Sequence, residues 1–117
     1  MNRTVLVALC LGLGVSTSAL ASDADTIDKD VIKQSRSLGL SVGNAYACTN
    51  ADDKAAFKAD SEAIFALMLH DIGPSYAYVY AVSVGFGASL DVSDLDCVKL
   101  AEQWSGNRSK FGLEGTK

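Results

Sequence analysis

Residues Ile72 to Leu90 read IGPSYAYVYAVSVGFGASL, 19 positions without a charged side chain, fenced by Asp71 and Asp91. Nothing else beyond the N-terminal segment is comparably apolar, so the fold is expected to hide this piece. A span of about 18 or more uncharged residues is also a candidate membrane helix. Pro74, three serines, three glycines and three tyrosines dilute this one, however. Both flanks are acidic, so the Lys/Arg asymmetry that orients a membrane helix is missing. The stretch therefore reads as the core of a soluble domain.

Strand and helix compete for the same letters. Tyr76, Tyr78, Tyr80, Val82, Val84 and Phe86 alternate with small residues, the period of a half-buried strand. At 3.6 residues per turn, Ala77, Ala81, Val84, Gly85 and Ala88 share a narrow stripe instead, with Val79, Val82 and Phe86 opposite. A helix apolar all round belongs in the middle of a bundle, touched from more than one direction. Gly73-Pro74 suits a helix stop followed by a new start. No second good strand exists to pair with this one, which decides for helix.

Working outward, residues 1–21 have the plan of a secretory signal peptide. Arg3 is the positive end, Val5 to Val15 the apolar run, and Ala19-Leu20-Ala21 the small–x–small cleavage pattern. Leu9 is too large for a usual lipid-attachment box at Cys10, which goes with the discarded peptide. Cleavage before Ser22 leaves 96 of 117 residues, residues 22–117, enough for one small exported domain. The periplasm is the expected location, with secretion the alternative. Losing Arg3 takes the formal charge from −4 to −5. An acidic chain without a basic cluster argues against nucleic acid and anionic membrane surfaces.

Two cysteines remain, Cys48 and Cys97, and an exported chain with an even count is expected to pair them. A loop of this length makes the bond worth about 4 kcal/mol in the chain-entropy model. No C-x-x-C suggests a redox role.

Around these cysteines the pattern predicts about four helices. The first runs from about Asp25 to Cys48, with Asp23, Asp25, Asp28 and Asp30 at its dipole-favoured start. Ile27, Val31, Leu38, Val42 and Ala45 form its apolar row, and Ser35, Gly39, Gly43 and Ala47 a second row of small residues. Glycine costs a helix roughly 0.8–1 kcal/mol against alanine, so two on one face imply close approach of another backbone. The expected partner is the stripe Ala77, Ala81, Gly85. Thr49-Asn50 opens a second helix whose inward face is Phe57, Ser61, Ile64, Phe65 and Met68, ending at Gly73. Ser93-x-x-Asp96 resembles a capping box for a last helix, with Leu95, Val98, Ala101 and Trp104 on one face until Gly106 and an irregular tail beyond.

Chemistry-bearing groups are sparse. His70 is the only histidine and reads as a C-terminal dipole partner, while Met68 points about 200° away from it on a helix. Asp91, Ser93, Asp94 and Asp96 lack the glycine and ligand spacing of a calcium loop and read as caps. No nucleophile–base arrangement or phosphate fingerprint is visible, so neither an enzyme nor a bound metal or cofactor is expected. The tyrosines are the remaining clue. Tyr76 and Tyr80 share a helical face, and Tyr46, Tyr78 and Trp104 are expected to line a groove beside them, an aromatic surface suited to a protein partner.

A signal peptide, about a hundred mature residues, and Cys48 and Cys97 roughly fifty apart around a helical core give a layout that resembles the HdeA/HdeB type of periplasmic acid-stress chaperone. That resemblance implies client binding through apolar surface exposed in acid. It covers the cysteine frame and not the letters between. Small immunity proteins against exported toxins share the same coarse plan. The expectation is a non-enzymatic exported helical module that binds another protein, with a small-ligand or cofactor carrier and an immunity-type inhibitor as the alternatives.

Overall fold

The computed structural model describes residues 27–113; the signal-peptide reading, Cys10, Asp23 and Asp25 lie outside the described residues. Within them the chain forms four α-helices and no strand: α1 (Lys29–Cys48), α2 (Lys54–Asp71), α3 (Pro74–Ala88) and α4 (Cys97–Lys110), with 3₁₀ turns at Ala51–Asp53 and Val92–Asp94. Cys48 at the end of α1 and Cys97 at the start of α4 form the expected disulfide, with Cα atoms 5.6 Å apart. The all-α, disulfide-closed arrangement is therefore present. No described helix is long and apolar enough to cross a membrane. At 1.5 Å per residue the 15-residue α3 spans only about 22 Å, against about 30 Å of hydrocarbon.

The helix boundaries follow from local chemistry. Asp28 caps α1, its carboxylate accepting from the Asp30 and Val31 amides, so the helix starts later than Asp25. Asn50 caps the 3₁₀ turn that leads into α2. Between α2 and α3 the backbone reverses at Gly73, whose φ of +103° is one that glycine adopts without strain. Its amide bonds to the Met68 carbonyl at 3.0 Å, and Pro74 then opens α3.

Two boundaries differ from expectation. Asp96, and not Ser93, caps α4 by accepting from the Lys99 amide at 3.1 Å. Ser93 instead donates its amide and hydroxyl to Asp91, which caps the 3₁₀ turn. The last helix also runs past Gly106 to Lys110. Arg108 holds that extra turn, donating through Nε to Asp60 of α2 at 3.0 Å and through a terminal nitrogen to the Leu113 carbonyl at 3.2 Å.

The tightest seam joins α1 to α3. Ser35, Gly39 and Gly43 are buried, as the small-residue row predicts. A Cβ on Gly39 would stand 2.5 Å from the Tyr80 carbonyl oxygen and 2.6 Å from Ser83 Cβ; on Gly43 it would meet the Val84 carbonyl and lie 2.8 Å from the Ala88 amide. The same order of residues on both sides means that the two helices run parallel. From α3, Gly87 answers with a missing Cβ that would fall 2.6 Å from the Leu40 carbonyl. The facing row is thus Ala77, Tyr80, Ser83 and Gly87, all buried. It is not Ala77, Ala81, Gly85: Ala81 and Gly85 are exposed, and a side chain at Gly85 would meet nothing. The helix is rotated from the expected phase because the glycines of α1 accept α3's backbone beside Ser83 and Gly87.

Phe57, Ser61, Ile64 and Met68 turn inward from α2, and Val42 and Ala45 from α1, to complete the core with Tyr80 and Leu100. Phe65 packs against that core half-buried.

Candidate functional site

The structure disperses the aromatic residues that the sequence groups into one groove. Tyr80 is core, about 1% exposed, its hydroxyl donating to the Ser61 carbonyl at 3.1 Å and lying 2.9 Å from the Ser61 hydroxyl. Burial pushes the Tyr80 phenol up to about 12, with the Ser61 hydroxyl pulling it part of the way back. Tyr76 is half-buried, its hydroxyl accepting the Asp28 amide at 2.9 Å, so it ties α3 to the start of α1. Trp104 stacks on Phe57 at 4.0 Å, and Tyr46 meets Phe57 edge-on at 5.6 Å. These three rings form a cluster beside the disulfide, with Lys54 over Tyr46. Tyr78 stands apart from all of them.

What Tyr78 does join is the outer face of α3. Tyr78, Val82 and Phe86 are 69%, 56% and 64% exposed, one residue per turn along a helix that carries no Asp, Glu, Lys, Arg or His between Pro74 and Ala88. Ala81 and Gly85 lie beside them, also exposed. The segment expected to be hidden is therefore hidden on one side only. Its packing partners, α1 and α2, cover the side facing Ala77, Tyr80, Ser83 and Gly87. Apolar patches of this extent on a small protein are commonly interaction sites. Val82 and Phe86 are the members that the aromatic argument misses. The signal was their helical phase opposite the small residues, which already set Val82 and Phe86 across from Ala77.

Clefts border this architecture. One of about 330 Å³ lies between α2 and α3, lined by Lys58, Ser61, Glu62, Phe65, Tyr80, Ala81 and Val84. Another of about 580 Å³ lies between α2 and α4, where Phe57 and Trp104 line one part and Asp60 and Arg108 another. The ion pair Asp60–Arg108 is mostly buried, so it holds two helices and fixes a charged wall at the same time.

The remaining polar candidates resolve into local roles. His70 is almost wholly exposed, with Nδ1 2.8 Å from the Asp71 carboxylate, while Met68 is buried, so the two do point apart. Asp91 is held below the usual carboxylate range by the Ser93 amide and hydroxyl. Among the described residues no three His, Cys, Asp or Glu side chains are grouped to hold a metal ion.

Comparison with protein-family models, curated proteins and solved structures finds no match for this chain.

Proposed function

We propose that this chain is an exported, non-enzymatic helical module that binds protein through the outer face of α3. The observation that carries this reading is the exposed, charge-free row Tyr78, Val82 and Phe86 on a helix whose other side is closely packed. Aromatic anchors at the centre of a neutral patch are what protein interfaces are built on. Export rests on the signal-peptide pattern of residues 1–21 and agrees with the Cys48–Cys97 bond, since such bonds persist in oxidising compartments. The face is open in the folded chain, so client binding of the acid-chaperone kind would not need the domain to unfold first.

A photo-crosslinking residue in place of Phe86, in cells exporting the full chain, tests this. Protein adducts should form at position 86 and not at Gln34, an exposed position on α1. Equal labelling at the two positions, or none at 86, would remove the proposal.

A second reading is a small-ligand carrier, favoured by the 580 Å³ cleft with its stacked Phe57–Trp104 pair and its Arg108 wall. Ligand sites usually fall between about 300 and 1,000 Å³. A small molecule retained by the native protein and lost in Trp104→Ala, with no adduct at position 86, would favour that reading over the first.

A further inference from the structure

The core is unevenly supplied. Among the described residues, every buried apolar side chain but two belongs to α1, α2 or α3. The exceptions are Leu100, the one buried residue of α4, and Leu113 just beyond its end. The interlocked seam of α1 with α3 and the inward row of α2 owe nothing to α4.

What α4 has instead is a set of separate ties. At its first residue the Cys48–Cys97 bond fixes it to the end of α1. Halfway along, Trp104 lies against Phe57 of α2, and Ser41 of α1 donates its hydroxyl to the Gln103 side chain. At the far end Arg108 gathers two groups, the Asp60 carboxylate of α2 and the Leu113 carbonyl. Leu113 returns its amide to the Arg108 carbonyl at 2.8 Å, so Arg108 clasps the end of α4 to α2. The cleft of about 580 Å³ lies along this same α2–α4 seam, with the ties on its walls.

These ties differ in kind. A segment with few buried apolar contacts opens at lower free energy than the fold as a whole. Among the ties of α4 only the disulfide is covalent; the ring contact, the hydrogen bonds and the ion pair break and remake thermally. We infer that α4 is a hinged strap. It stays pinned at Cys97, parts from α2 by releasing Trp104 and Arg108, and recloses, while α1, α2 and α3 remain folded. The open state widens the cleft and bares the Phe57 ring, which the closed chain keeps buried. This motion is independent of the outer face of α3, which lies on another helix.

Native-state hydrogen exchange of the disulfide-bonded chain, read on peptides from each helix, tests the strap. A 14-residue helix without packing is marginal in water, so its amides exchange whenever the strap is open. The middle of α4 should be protected at least about tenfold less than α1 around Gly39 and Gly43.

Two variants then separate a strap from a single cooperative fold. Asp60→Ala removes a tie that only the closed state has, and should speed exchange in α4 by about 10- to 100-fold, the range of a hydrogen bond to a charged group. Tyr80→Phe removes the bond from α3 to Ser61 of α2, a bond that the open state keeps. It should speed exchange in α1 and α3 by about 3- to 10-fold and leave α4 at its wild-type rate. Acceleration of α4 by Tyr80→Phe to the same degree as α1 and α3 would mean that all four helices open together, and the inference fails. It fails equally if α4 is as protected as α1 in the wild type, or if Asp60→Ala leaves α4 unmoved.

Discussion

Neither face of α3 carries a charged side chain, yet one is packed and the other exposed. Ala77, Tyr80, Ser83 and Gly87 are buried, whereas Tyr78, Val82 and Phe86, the larger set on average, face outward. Hydrophobicity alone would bury the second set. The difference is one of shape: Gly39 and Gly43 of α1 let a backbone approach only where α3 is itself narrow, and the narrow side is the one with Ser83 and Gly87. Closeness of packing is gained by many short contacts, each worth only about 0.1–0.2 kcal/mol. The large residues left outside are then available to another molecule.

The most severe way to break this comparison is to add volume to each face in turn. Gly43→Leu places a side chain against the Val84 carbonyl and the Ala88 amide, both backbone and unable to yield without moving the helix. We expect a loss of about 3 kcal/mol, the upper end of overpacking costs, read as a lowered urea midpoint. Ala81→Leu, on the exposed side, should stay within about 0.5 kcal/mol of wild type. Equal losses at the two positions would mean that α3 is not packed in the phase described.

Titrating the inner face sharpens the contrast next. Tyr80 has its phenol raised to about 12 in the folded chain, against about 10 for an ordinary tyrosine. The folded state thus keeps a proton that the unfolded state has released. The stability tied to that proton is fully present below pH about 10 and is lost as pH rises through about 12. A shift of this size corresponds to roughly 2–3 kcal/mol. Urea midpoints measured from pH 9 to 12 should fall steeply for the wild type and less for Tyr80→Phe. Tyr78→Phe, on the exposed face, should leave the wild-type slope unchanged. A Tyr80→Phe profile parallel to wild type would show that the buried phenol is not the titrating group.

These contrasts also mark how far the sequence can be read. The row Ser35, Gly39, Gly43 was legible because glycine in mid-helix is costly and so points to a close neighbour. The inward set Phe57, Ser61, Ile64, Met68 and the Cys48–Cys97 pair were legible for similarly local reasons. The phase of α3 was not, since a helix with no charge has no polar side to turn outward, and its rotation is set by glycines more than 40 residues earlier. The continuation of α4 past Gly106 depends on Arg108 reaching Asp60, 48 positions away, which no local pattern reveals. The candidate site was half legible: Tyr78 came from aromatic content, whereas Val82 and Phe86 were placed opposite the small residues and assigned to packing. How many helices surround α3 is a property of the assembled bundle.

The smallest expected effect tests the comparison by sign, with one kind of substitution made on both faces. Replacing helical glycine by alanine should gain up to about 1 kcal/mol where nothing obstructs the new methyl, because the unfolded chain loses freedom and the helix gains propensity. At Gly85 nothing lies within 4 Å of the added Cβ, so Gly85→Ala should stabilise the fold by about 0.5–1 kcal/mol. At Gly39 the same methyl would sit 2.5 Å from the Tyr80 carbonyl oxygen and 2.6 Å from Ser83 Cβ. The propensity gain is then outweighed by the displacement of two helices, and Gly39→Ala should destabilise by about 1–2 kcal/mol. Chemical denaturation reads both values on one scale. Because the propensity term is common to the two variants, the difference between them isolates the cost of contact between α1 and α3. A stabilised Gly39→Ala would show that the two backbones are farther apart than the structure places them, and a destabilised Gly85→Ala would show that the outer face is covered.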